Sequence, residues 1–163
     1  MKEKILEAFR DLGFKLEEEE GMGYCFNYEG LNLLYMYNEN DEEFLTIALP
    51  GIVEVEDDKM LQICALLEKI NSTLKYIKAY MLGNSVWLFY ERELIEQREQ
   101  SRISSDLMTV ISRMILHLEA GLVFARKAMA EIEETMANDS SADDTAESAE
   151  EIDAEKITDD DNE

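Results

Sequence analysis

Apolar residues recur along this chain at two different periods, and each switch between them marks the border of an element. Ile5, Leu6, Phe9 and Leu12 fall three and four apart with charges between them, which predicts an amphipathic helix over residues 2–12. Gly13 stands where a left-handed C-terminal cap belongs. After the solvated acidic run 17–20 and a flexible Gly21-Met22-Gly23, Tyr24, Phe26 and Tyr28 alternate with Cys25, Asn27 and Glu29, the period of a strand. Glu29-Gly30 turns it into a second strand over 31–37, residues 38–43 form a polar loop, and a third strand covers 44–49 until Pro50-Gly51 stops it. Met60, Ile63, Leu67, Ile70 and Leu74 trace a second helical stripe, capped by Asp57 or Asp58 and ending near Ser72. Two further strands, 76–82 and 85–92, are joined by Gly83-Asn84, a pair suited to a tight hairpin.

Residues 93–102 are charged and break the pattern, after which Ser104 or Ser105 can open a third helix running to about Ala137. Leu107, Val110, Ile111, Met114, Leu118, Leu122, Ala125 and Met129 form its stripe, while Met108, Ile115, Leu116, Val123 and Phe124 widen it past one face. A helix apolar on several sides is covered on several sides, or belongs to an interface. From Asn138 onward Ser, Ala, Thr, Asp and Glu dominate without an aromatic, too little apolar surface to offset chain entropy. The pattern thus divides the chain into an α+β domain, 1–137, and a disordered acidic tail, 138–163. Hairpin-length loops demand antiparallel pairing, so the expected architecture is an antiparallel five-stranded sheet with helices, in the order helix-strand-strand-strand-helix-strand-strand-helix.

One stretch breaks the rule for a half-solvated sheet. Leu31, Leu33, Leu34, Tyr35, Met36 and Tyr37 are apolar at odd and even positions alike, although successive side chains of a strand point to opposite faces. Assigning the greasiest register of each strand to the helices predicts Leu33, Leu45, Ile47, Leu49, Ile77, Met81, Trp87 and Phe89 as core. The opposite register then offers Leu34, Met36, Phe44, Tyr76, Tyr80, Val86, Leu88 and Tyr90 among Lys78, Asn27 and Thr46. Tyrosine and methionine with few charges make a contact surface, since an aromatic body can be desolvated while its hydroxyl stays wet and methionine adapts its shape. Leu34, Met36, Tyr76, Tyr80, Leu88, Tyr90, Leu116 and Phe124 are the candidate partner-binding residues. The rival reading has the third helix wrap an edge and cover that register within the same chain.

Charge narrows the partners. In 163 residues, 38 acids oppose 15 bases for a net charge of -23, with twelve acids and one base, Lys156, in residues 138–163. Such a polyanion is repelled by phosphate backbones and anionic lipid headgroups, which argues against direct nucleic-acid or membrane-surface binding and for a protein partner. No run of apolar residues is expected to reach the length of a membrane span, and the charged N-terminus is unlike a secretory signal. With Cys25 and Cys64 as unpaired thiols, the expected setting is cytoplasmic.

Candidate chemistry is sparse. The lone His117, flanked by apolar residues, has no partner set for a metal or a triad and reads as a core or interface histidine. Cys25 and Cys64 read as small hydrophobes, without a nearby cationic cluster to favour thiolate. The acidic pairs within 17–20, 41–43 and 57–58 lie in polar segments where acid–base work has no apolar pocket to tune it. No EF-hand spacing or phosphate-cradling glycine loop occurs, and Asn71-Ser72-Thr73 matches a glycosylation acceptor only formally. No catalytic residue, cofactor or metal is expected.

Ile5-Leu6 with Leu12-Gly13-Phe14, then Phe26, Tyr28-Glu29-Gly30, Leu49-Pro50-Gly51 and Ser85-Val86-Trp87-Leu88, resembles the YbjN family, described as bacterial sensory-transduction regulators, over roughly residues 1–130. The order of elements also resembles the type III secretion chaperone-like fold. What the resemblance implies is a small, acidic, cytoplasmic, usually dimeric protein without ATPase activity; secretion chaperones hold an extended client segment against sheet and helix surfaces. The sequence thus points to a non-catalytic, homodimeric binding module, chaperone-like or regulatory. The alternative is an acidic mimic of nucleic acid that occupies the basic groove of a DNA- or RNA-binding protein. An enzyme comes third, since no nucleophile, base and orienting group can be named together.

Overall fold

The computed structural model describes residues 1–94 and 103–155, with side chains described for 1–94 and 107–138. The element order is α1 Lys2–Asp11, β1 Glu17–Glu19, β2 Gly23–Tyr28, β3 Leu31–Met36, β4 Phe44–Glu54, α2 Met60–Thr73, β5 Ile77–Leu82, β6 Ser85–Glu93 and α3 Ile103–Glu155. The strands form one antiparallel sheet in the order β1-β2-β3-β4-β6-β5, and the fold is α+β as the periodicities predict.

The sheet has six strands rather than five. The additional one is β1, where Glu17 pairs with Cys25 and Glu19 with Gly23. Glutamates are poor strand formers, yet an edge strand needs only its backbone on one side, and all three side chains stay in water. The third predicted strand does not stop at Pro50-Gly51 either. β4 continues to Glu54, and its register against β6 jumps from Leu49 opposite Leu88 to Val53 opposite Val86. The surplus residues are taken up in a bulge where proline, with no N–H, loses nothing, and where Gly51 takes a φ of 65°.

Turns follow their glycines. At the end of α1 the Gly13 amide bonds the Arg10 carbonyl and the Phe14 amide bonds that of Phe9, with Gly13 at φ 85°. Phe14 closes the motif by packing its ring 6.0 Å from Phe9. The expected aspartate cap of α2 is absent: Asp57 and Asp58 lie in a tight turn before the helix, and no side chain caps its start. Gly23 answers to close approach, since a Cβ there would stand 2.1 Å from the Tyr35 carbonyl oxygen.

All three helices lie on one side of the sheet. α3 crosses β4, β5 and β6 with α1 and α2 packed beside it, and Gly121 lets it come close: a Cβ at that position would sit 3.3 Å from Leu88 Cδ1. Ile5, Phe9, Phe26, Leu33, Tyr35, Ile47, Ile63, Ile70, Leu88, Ile111 and Leu118 belong to the core between them. At the far edge of the sheet the Asn71 amide of α2 clasps Ala79 of β5, donating to its carbonyl at 2.9 Å and accepting from its N–H at 2.8 Å.

Leu107–Asn138 of α3 is long and apolar enough, by length and composition, to cross a membrane, contrary to the sequence-based expectation. Its buried stripe of Leu107, Ile111, Met114, Leu118, Leu122 and Ala125 accounts for that composition, because a core helix packed on a sheet and on two helices is apolar over much of its girth. The helix continues past Ala137, where the pattern ends it, to Glu155. The expectation of a disordered tail falls on side chains from 139 and on residues 156–163, which lie outside those described.

Candidate functional site

Strand pairing decides which side chains share the sheet face opposite the helices. Leu34 stands across from Ala48, Met36 from Thr46, Ala48 from Phe89 and Tyr80 from Trp87. Leu34, Ala48 and Phe89 form a second cluster, flanked by Cys25, Met36 and Trp87, and no residue of any helix belongs to it. Among the described residues, α3 therefore does not cover this face.

The center of the face is an aromatic slab. Tyr80 stacks on Phe89 with centroids 4.1 Å apart and planes 1° from parallel, and Trp87 lies 6.0 Å from Phe89 at 14°. Trp87 donates from Nε1 to Ser85 Oγ, which leaves its ring half-buried with its one polar group satisfied. Burial, with the field of Glu91 adding and Lys78 opposing, pushes the Tyr80 phenol up. Lys78 and Glu91, on neighboring strands of the same face, form an ion pair at its border. Around the slab Met22, Phe44, Tyr80 and Leu82 are each more than 40% exposed. A groove of about 260 Å³ runs between Met22, Met36, Phe44 and Tyr80, with Phe89 in its lining.

The predicted contact residues are thus divided. Leu34, Met36 and Tyr80 lie on the uncovered face, Leu34 fully buried by its neighbors. Leu88 and Tyr90 do not: together with Val86 they point into the helix-side core. Trp87 and Phe89, expected in that core, take the uncovered face instead, and Met81, on the core register beside the hairpin turn, is 41% exposed. Size misled the assignment of β6. Residues 87, 89, 91 and 93 share a face, and two of them are glutamates, so that register belongs in water whatever its aromatics suggest. Tyr76 would share a face with Lys78 and Tyr80, but its φ of 69° turns the ring to the helix side against Tyr90. Leu116 is exposed on the outer surface of α3, and Phe124 packs half-buried on the core.

The residues set aside as non-catalytic are spread out. His117 is exposed rather than buried, because it shares with Arg113, Leu116 and Ala120 the side of α3 turned to solvent. Cys64 is exposed on α2. Cys25 sits half-buried on the uncovered sheet face, where burial, then Glu19 and Glu17, pushes its thiol up and away from thiolate. Among the described residues no group of three or more His, Cys, Asp or Glu is placed to hold a metal ion.

No protein-family profile matches the chain, and no curated protein matches it. Among solved structures it is similar to the crystal structure of YbjN from E. coli, described as a candidate transcription regulator, with a TM-score of 0.58 and 13% identity over 78% of this chain and 92% of that one. At that identity the likeness is one of fold, and it agrees with the antiparallel sheet backed by helices.

Proposed function

We propose that the protein is a non-catalytic binding module of regulatory or chaperone type, working in the cytoplasm as a homodimer or with a protein partner joined through the uncovered sheet face. One observation carries this reading: among the described residues no helix residue joins the Leu34–Ala48–Phe89 cluster, which is buried only by its sheet neighbors, so that Met22, Phe44, Tyr80 and Leu82 around it stay more than 40% exposed unless another surface covers them. The YbjN-like fold supports a regulatory role, and the shape and chemistry of the face suit a second polypeptide better than a small substrate.

Light scattering on the full chain over a range of concentrations tests it. The expected mass is twice the 18.8 kDa of one chain, or that of a complex once the partner is added. Tyr80→Asp, which puts a charge on the slab without touching the core, should return the monomer. A mass of one chain at all concentrations and with every co-purifying protein removed would overturn the homodimer. Steep weakening with salt and loss of binding on removing residues 138–163 would favor the acidic nucleic-acid mimic, whereas the apolar face predicts modest salt dependence and survival without that segment.

A further inference from the structure

A second site lies on the other side of the sheet, where β5 and β6 meet α3. Tyr76 takes a left-handed φ of 69°, rare for a residue with a large side chain and of a kind that gathers at functional sites. That backbone turn lays its ring parallel to Tyr90, 5.7 Å away at 12°. His117 closes the group, 5.8 Å from Tyr76 and 5.7 Å from Tyr90. Tyr76 nonetheless keeps 63% of its surface exposed, so one aromatic face remains open.

The three rings, with Arg92, Arg113 and Glu91, line a groove of about 330 Å³. The charge here runs against the rest of the molecule. In a chain with 38 acids for 15 bases, Lys15, Lys59, Lys69, Lys78 and Lys127 each pair with a glutamate, while neither Arg92 nor Arg113 is paired with a carboxylate among the described residues. Glu91, the single acid of the lining among the described residues, is taken by Lys78. Both guanidinium groups are close enough to Tyr90 to pull its phenol down against the burial that pushes it up.

We propose that this groove binds a small planar anion, a ring carrying a phosphate or a carboxylate group. Two guanidinium groups that have no carboxylate partner among the described residues supply the forked donors that such groups accept. The open face of Tyr76 supplies a stacking surface for the ring. The net charge of -23 sets the size limit, since the remaining charges of a polyanion would lie over acidic surface and be repelled. This site is independent of the uncovered sheet face.

His117 is the only histidine in the chain, so its imidazole C–H signals in a proton NMR spectrum report on the groove without assignment of the rest. The full chain is titrated separately with adenosine 5′-monophosphate, benzoate, inorganic phosphate and uncharged adenosine. The proposal expects saturable shifts of the His117 signals with the monophosphate, with benzoate, or with both, which tells phosphate from carboxylate, and weaker or no response to inorganic phosphate and adenosine. Arg92→Gln and Arg113→Gln should each weaken the apparent affinity about tenfold, as loss of a charge-assisted hydrogen bond does. Both arginines are exposed, so an unchanged circular-dichroism melting curve shows that the variants fold. The proposal is overturned if neither ring-bearing anion shifts the signals, if adenosine or inorganic phosphate binds as tightly as the monophosphate, or if the double variant binds like the native chain.

Discussion

The Tyr80 ring lies on the Phe89 ring, 4.1 Å between centroids and 1° between planes, on the side of the sheet that no helix covers among the described residues. One residue away along β6, Leu88 points the other way and is wholly buried beneath Gly121 of α3. The two positions should therefore respond differently to truncation. Leu88→Ala leaves a cavity in the main core and is expected to cost about 2–5 kcal/mol. Tyr80→Ala removes a half-exposed ring and one stacked pair, for a cost of about 1 kcal/mol in the isolated chain. Urea unfolding of the two variants checks the order; a larger loss for Tyr80→Ala would mean that β6 faces the other way.

Asn71 offers a second test, because its amide satisfies both backbone groups of Ala79. Asn71→Ala leaves the Ala79 N–H and carbonyl unpaired at the sheet border and is expected to destabilize by about 1–3 kcal/mol. Hydrogen exchange should speed up at the Ala79 amide more than at the amides of β3. Asn71→Asp keeps the acceptor and should fall between the two.

At Gly23 the constraint is steric. With φ at 140° and the Tyr35 carbonyl 2.1 Å from where a Cβ would stand, Gly23→Ala requires β2 to move off β3. A loss above about 2 kcal/mol is expected. Near-ultraviolet circular dichroism should record it, since Tyr24 and Tyr35 stack across those strands at 6.1 Å.

Tyr35 makes a prediction about pH. Burial first, then the fields of Tyr37, Tyr24 and Glu42, pushes its phenol far above the ordinary value of about 10. Below that ordinary value both the folded and the unfolded chain hold the proton, and the group adds no pH dependence. As pH rises through it, the unfolded chain releases the proton and the folded chain does not, so stability falls. Tyr35→Phe should flatten that alkaline loss. It should also stabilize the protein at neutral pH by about 1 kcal/mol, because the buried hydroxyl has no hydrogen-bond partner among the described residues. Thermal melts of both proteins from neutral pH to beyond pH 10 measure the two effects.

Local chemistry was readable where a single residue type decides it. Gly13, Glu29-Gly30 and Gly83 each sit in the turn expected of them, with positive φ at all four residues. Helix stripes were legible for the same reason, since Ile63 and Ile70 or Ile111 and Leu118 lie on one side at 3.6 residues per turn. Failures arose where partners across the sheet decide. β1 exists because β2 offers it a free edge, and β4 passes Pro50 because β6 holds its far end at Val53 and Glu54. The face of β6 was ambiguous to hydrophobicity alone but not to Glu91 and Glu93, which share a register with Phe89. The groove at Arg92, Arg113 and His117 joins residues from β6 and α3 that no local pattern links, and only the unusual φ of Tyr76 brings the fourth side chain to it.

The two outermost strands bear on how copies of this protein can meet. One margin is three consecutive glutamates, Glu17–Glu19, which repel an identical strand laid alongside, and at the other the Asn71 clasp has already used the backbone groups of Ala79. Growth by adding strand to strand, the route to open-ended fibrils, is thereby disfavored at both margins, by charge at one and by the engaged Ala79 backbone at the other.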